Sequence, residues 1–319
     1  MNISCKKLMQ LPGRYATLKD KRTFVESVSF GCTCTELLDK LQRLSDDGYL
    51  FRGQRDALWP IVSTGQRAYV EYIKNEPYAR LGYLEFLCKA LDYAKRESVF
   101  LPKKGVLAFR NYFDHEIWGW LQHYSYPTPF IDFSRDWKVA LYMATAHIDN
   151  ATVGGYFSLY AIPKNYTIGD NENIQLERLI RNNNATLIQC KLSKEQMYCF
   201  DNWKDFTFCL IHKDGSMEPW SKEIAKERIA SQDGLFVYLN DAQMSFESYC
   251  NQQSNGGNGE DVVGCILPRI KCLDIPNSMA PLVRAFCQRE GYTAERLGLA
   301  DRSKDDCMKC VKDRFLATV

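Results

Sequence analysis

The chain has 319 residues, 45% hydrophobic and 25% charged, an ordinary folded composition that excludes a disordered class and allows one large domain or two smaller ones. Its 41 Lys and Arg balance 39 Asp and Glu to a net charge of +2, so no global field draws it to nucleic acid or to an anionic membrane. No stretch approaches the roughly 20 apolar residues that span a bilayer, and the first residues lack the apolar run of a signal peptide, so a cytoplasmic protein without a membrane partner is expected.

Thirteen cysteines are spread along the chain, and an odd number cannot all pair internally. Free thiols are expected. Cys307-Met308-Lys309-Cys310 has zinc-like spacing, but a structural zinc needs four ligands and no second pair stands nearby, so no metal is expected.

Residues 1–30 read as an entry segment, with Phe24, Val25, Val28 and Phe30 on a sheet edge. Leu37, Leu38, Leu41 and Leu44 recur at helical spacing behind Thr33 and Thr35, two candidate caps, which predicts a helix over Cys34–Leu44. The Asp46-Asp47-Gly48 turn leads into a short strand, Tyr49-Leu50-Phe51, that ends on Arg52-Gly53-Gln54. An arginine at a strand end, followed by a glycine that admits a ligand or another backbone, suits a fixed anion contact. Pairing with a core carboxylate such as Asp132 explains it equally well. Extended chain at Trp59–Thr64 gives way to helices over Arg67–Lys74 and Tyr78–Ser98, the second amphipathic and part of the scaffold. A loop at Pro102–Gly105 precedes a helix that carries His115 and ends over Trp118–Tyr124.

Leu121–Ala144 holds a dense run of polar, aromatic and turn-forming residues, and polar side chains near a core must find partners. Pro127, Thr128 and Pro129 end the preceding helix, because proline disfavours helical backbone in the residue before it. Phe130, Ile131 and Phe133 predict a strand with Asp132 on the opposite face, and Ser134 suits the cap of a helix over Asp136–Ile148. Trp137, Ala140, Leu141 and Ala144 form that helix's buried stripe; Tyr142 lies off it. Polar residues between a strand end and a helix N-terminus sit beside free backbone N–H groups, an anion site for which phosphate is the obvious guest.

Further on, Tyr156–Ile162 reads as a strand, Asn165–Asn184 as a polar excursion and Met197–Ile211 as strand-like. The Gln232-Asp233-Gly234 turn enters the strand Leu235–Leu239. Asn251–Glu260 reads as a loop, Val262–Leu267 as a strand, Ser278–Glu290 as a helix, and the charged tail from Asp301 as peripheral.

Three groups of residues carry a resemblance. Phe51-Arg52-Gly53 comes first, then Gln122-His123-Tyr124 with Pro127-Thr128, Asp132 and Ala140-Leu141-Tyr142, then Arg228-Ile229-Ala230-Ser231-Gln232-Asp233-Gly234-Leu235-Phe236. In type and order they resemble the FRG-domain family over about residues 49–299. Ser125 and Tyr126 replace the usual Gly-Leu, and Pro129 stands where a basic residue is common. If that residue binds a ligand phosphate in relatives, this chain binds differently. The resemblance implies an entry segment and helix at 1–47 and a core at 48–240 with a helical insertion at about 66–120. Residues 241–319 then form a C-terminal strand and helical extension of the same domain.

The three motifs are also similar, more distantly, to the split-sheet ADP-ribosyltransferase fold. That implies an α+β protein with a mixed, split β-sheet and flanking helices, and NAD as substrate. By this likeness Arg52 contacts a phosphate or ribose, Tyr142 or Ser134 supports the nicotinamide, and Gln232 takes the late position. Arg52, Asp132 and Gln232 become the catalytic candidates. Gly53, Gln54, Gln122, His123, Tyr124, Thr128, Ser134, Tyr142 and Arg228 become the binding ones. The implied setting is bacterial phage defence or an intracellular toxin, with a protein or nucleic-acid acceptor.

Cleaving the nicotinamide–ribose bond passes through an oxocarbenium-like state, which a carboxylate steadies better than the amide of Gln232. Glu223, Glu227 or Asp132 could supply that charge. The competing reading is a module that senses a nucleotide or a nucleic-acid end without turnover, which keeps the anion site and needs no carboxylate. A metal nuclease ranks last, because four scattered histidines supply neither ligand set.

Overall fold

The computed structural model describes residues 13–75, 81–97, 114–149, 154–163, 208–211, 228, 231–239, 241–254, 269–300 and 303–319. The excursion at 165–184, the strand expected at 262–267, and both Glu223 and Glu227 lie outside them. In chain order the elements are helix α1 (Leu18–Arg22), strand β1 (Glu26–Ser27), α2 (Cys34–Asp46), β2 (Tyr49–Gln54), α3 (Thr64–Asn75), α4 (Tyr83–Arg96), α5 (Asp114–Gln122), β3 (Phe130–Ser134) and α6 (Trp137–Thr145). There follow β4 (Tyr156–Pro163), β5 (Phe208–Ile211), β6 (Gly234–Leu239), α7 (Phe246–Ser254), β7 (Lys271–Pro276), α8 (Ala280–Arg289) and α9 (Ser303–Leu316).

Side chains fix where these helices begin. The Thr33 hydroxyl accepts from the Glu36 N–H at 3.2 Å while the Glu36 carboxylate accepts from the Thr33 N–H at 2.9 Å, a reciprocal cap that starts α2. Ser63 and Gln66 make the same exchange at 3.0 and 2.8 Å. They start α3 at Thr64, one turn before the expected Arg67. Helix α6 is capped by Asp136, whose carboxylate accepts from the Lys138 N–H at 2.9 Å, and not by Ser134. Ser134 stands one step back, its hydroxyl accepting from the Asp136 N–H at 3.0 Å.

The described strands form one sheet in the order β1-β7-β4-β2-β3-β6-β5, with β1 parallel to β7 and every other pair antiparallel. It is a mixed sheet of an α+β fold, as expected. Six residue pairs join β2 to β4, whereas Phe51 opposite Ser134 is the one pair joining β2 to β3. The sheet therefore has two halves that touch at a single point and diverge beyond it.

One face of the first half is covered by α2, α6 and α8 through Leu37, Leu41, Leu141, Val283 and Cys287. Gly53 makes the approach of α6 feasible: a Cβ there would lie 1.9 Å from the Ala140 carbonyl oxygen. The opposite face packs Ile131, Phe133, Tyr160 and Val237 on Phe246 and Tyr249 of α7, where the sequence reads only a loop from Asn251. A third cluster gathers α3, α4, α5 and α9 over Phe130 and Phe236. Met308, Val311 and Phe315 of α9 are buried in it, so the charged tail expected to be peripheral closes the core instead. Strand β7 also went unread, because Lys271 and Asp274 interrupt its apolar run. Asp274 accepts from the wholly buried Lys21 of the entry segment and from the Ser158 hydroxyl at 2.8 Å. Among the described residues no helix is long and apolar enough to cross a membrane.

Candidate functional site

The divergence of β2 and β3 opens a cavity of about 270 Å³, walled by α6 on one side and by the end of α5 on the other. Arg52 and Gly53 come from β2, Asp132 and Ser134 from β3, Gln122 and His123 from the end of α5, and Arg228 and Gln232 from the turn before β6. Val139, Ala140, Met143 and Leu299 supply apolar wall. Residues far apart in sequence thus meet on one surface, as their recurrence in three motifs implies.

Asp132 is the accessible acid of this cavity, its side chain 49% exposed. Its Oδ2 accepts from Gln122 Nε2 at 2.8 Å. The Gln122 amide is itself held, its Oε1 accepting from the Thr128 hydroxyl. Thr128 is held in turn, its N–H donating to Thr64 Oγ1 at 3.1 Å while the Thr64 hydroxyl donates to the Tyr126 carbonyl at 2.7 Å. The Pro-Thr-Pro segment therefore does more than stop a helix. It orients the amide that orients the carboxylate.

Arg52 shares a register position with Tyr160, on the face opposite Asp132, yet its guanidinium reaches across the gap between the sheet halves. Nη1 donates to the Asp132 carbonyl at 2.8 Å and stands 4.0 Å from Oδ2. Arg52 thereby supplies a cross-strand hydrogen bond where the backbone ladder has stopped. Burial lowers its pKa from the usual arginine value, opposed by the Asp132 charge. His123 is mostly buried, and burial brings its pKa down to about 4, Asp132 only partly opposing the shift. It is a neutral imidazole at pH 7, with Nε2 buried and unpartnered.

Arg228 is buried and fully engaged: it donates to the Gly298 carbonyl at 2.6 Å, to the His123 carbonyl, and to both carboxylate oxygens of Asp305 at 3.0 and 2.8 Å. Its guanidinium lies 5.0 Å from the Tyr124 ring centre. Gln232 reaches the cavity, but its Nε2 donates to the Leu297 carbonyl at 3.0 Å, and the Ser134 hydroxyl donates to the Gln232 carbonyl at 2.6 Å. These bonds fasten the turn before β6 to β3 and to the C-terminal segment.

Four expected binding residues stand elsewhere. Gln54 pairs with Ser158, and its amide donates to the Trp59 carbonyl. Tyr124 lies under Arg228, Thr128 is wholly buried behind Gln122, and Tyr142 packs with α2, α6 and α8 outside the cavity. Thr64, expected at the end of extended chain, is instead the first residue of α3 and a support of the cavity. Ser63 followed three residues later by Gln66 was the legible signal, since that reciprocal cap puts Thr64 in the first turn of α3 and beside Thr128. No comparable signal marked Leu299.

The FRG domain family model matches residues 47–152. That span contains Arg52, Gln122, His123 and Asp132, while Arg228, Gln232 and Leu299 complete the cavity from beyond it. No curated protein and no solved structure matches the chain.

Proposed function

We propose that the FRG domain of this chain, completed by its C-terminal elements, is a nucleotide site that cleaves the nicotinamide–ribose bond of NAD. ADP-ribose then passes to water or to a protein or nucleic-acid acceptor. The observation that carries this reading is Asp132: an accessible carboxylate, held by a fixed amide beside a neutral imidazole, in a cavity with apolar walls. As the glycosidic bond lengthens, positive charge grows on the ribose ring, and a carboxylate already oriented there steadies it without reorganisation. Neutral His123 lines the same cavity and adds no competing positive charge as the ribose cation develops. Gln232, fastened to the Leu297 carbonyl, shapes the cavity and leaves the charge to Asp132. Turnover of NAD also suits the toxin or phage-defence setting that the resemblance implies.

A binding module without turnover is the second reading, favoured by the amide of Gln232 in the cavity, which steadies a developing cation less well than a carboxylate. The two are separated by incubating the purified chain with NAD, with and without cell lysate as acceptor source, and measuring free nicotinamide by chromatography. Release above the protein-free control supports cleavage. Saturable NAD binding without release in any lysate rejects it in favour of the module.

A further inference from the structure

We infer that the cavity holds the ribosyl group of its ligand, with the 2′,3′ cis-diol on the Asp132 carboxylate, and that it does not hold a phosphate. The inference rests on reading the cavity as a nucleotide site and narrows that reading. An ionised carboxylate only accepts hydrogen bonds, and Asp132 commits Oδ2 to one N–H from Gln122 while its side chain stays 49% exposed. Rotation of the Gln122 amide would set its oxygen against the carboxylate. The Thr128 hydroxyl, which donates to Oε1, supports the same orientation. The cavity therefore offers a ligand a fixed, outward-facing acceptor. Two vicinal hydroxyls are donors spaced to meet the two oxygens of such a group.

A phosphate brings only acceptors and negative charge, so it would meet the exposed Asp132 carboxylate with repulsion and no donor. Both cations that line the cavity already bond protein oxygens. Arg52 Nη1 donates to the Asp132 carbonyl at 2.8 Å, and Arg228 donates to both oxygens of Asp305. Its 270 Å³ also falls just below the roughly 300–1,000 Å³ of typical small-molecule pockets. That is room for a nucleoside-sized group and not for a whole dinucleotide, whose phosphates must lie outside. Val139, Met143 and Leu299 give the base or sugar face an apolar surface.

The test is equilibrium binding, by calorimetry, of a panel of ribonucleosides that includes nicotinamide riboside and the four common ones, each of those four against its 2′,3′-dideoxy analogue. At least one ribonucleoside should bind about tenfold or more tightly than its dideoxy analogue, because a site built to bond hydroxyls rejects a ligand that lacks them. Asp132→Asn should bring the two within about twofold. Thr128→Val, which keeps the carboxylate and frees Gln122, should narrow the difference, and Thr128→Ser should restore it. That pair keeps the test valid should Asp132→Asn fail to fold. Inorganic pyrophosphate should not displace the bound ribonucleoside, and neither should putrescine. Displacement by pyrophosphate, displacement by the diamine, equal binding of the dideoxy analogue, or no ribonucleoside binding at all each overturns the inference. Nicotinamide release from NAD, followed in parallel, keeps the two claims apart. Release without diol selectivity rejects this inference alone, and selectivity without release rejects cleavage alone.

Discussion

Arg52 Nη1 donates to the Asp132 carbonyl at 2.8 Å across the gap where β2 and β3 part, so one side chain ties the two sheet halves together beside their single backbone pairing. The sequence leaves Arg52 open between ligand contact and core partner; the structure bonds it to the Asp132 backbone and also places it on the cavity wall. Arg52→Lys keeps the charge but loses the planar fork that spans this gap. It should cost about 1–3 kcal/mol in urea unfolding of the unliganded protein. An unchanged midpoint would show that the halves are joined by other contacts.

Gly53→Ala tests how closely α6 lies on β2. Replacing glycine where alanine fits stabilises by about 0.4–1 kcal/mol through the unfolded chain. Here the new Cβ would fall 1.9 Å from the Ala140 carbonyl oxygen, which is backbone and cannot rotate away. Overpacking should win, with a net loss of about 3 kcal/mol by denaturant titration.

His123 and Glu247 should pull the acid stability of the fold in opposite directions. Burial holds His123 at about 4 against an ordinary 6.5, so between those values the unfolded chain binds more protons and stability falls as pH drops. Buried Glu247, which accepts from the Tyr15 hydroxyl at 2.7 Å and the Ile61 N–H at 3.0 Å, is raised to about 6 from 4.5. Between those values the folded chain binds more protons, and stability rises as pH drops. Each slope is at most about 1.4 kcal/mol per pH unit, so from pH 6 to 4.5 the two largely cancel. Glu247→Gln should therefore expose a steeper acid loss than wild type, and His123→Asn a gain on acidification, in unfolding midpoints measured at pH 6.0 and 4.5.

Asp305→Asn removes the charge that holds Arg228 and anchors α9 beside the cavity. A loss of about 1.5–3 kcal/mol is expected, together with faster amide exchange in α9. Unaltered exchange there would mean that Met308, Val311 and Phe315 hold the helix without the ion pair.

Period and capping made much of this fold legible. Leu37, Leu41 and Leu44 gave α2, the alternation around Asp132 gave β3, and the aromatic run at 156–162 gave β4. Ser125 adopts φ 56°, a left-handed conformation just past the end of α5 that no period or cap announces. What stayed hidden depends on tertiary contacts. Lys271 and Asp274 made β7 look polar until Lys21, more than two hundred residues away, is seen to neutralise Asp274. The tail of α9 read as surface because its buried residues are sparse among charges. The cavity residues were named from motifs, yet no motif distinguishes lining from support: Tyr142 and Thr128 share motifs with Asp132 and stand behind the wall.

The most direct test is the rate of nicotinamide release from NAD by wild type, Asp132→Asn and Gln232→Ala, with folding of each verified by its thermal transition. With Asp132 steadying the developing cation, Asp132→Asn should lower the rate about 100-fold or more, while Gln232→Ala, which loosens a turn, should cost less than about tenfold. A folded Asp132→Asn that releases nicotinamide at the wild-type rate would contradict the assignment of the charge to Asp132.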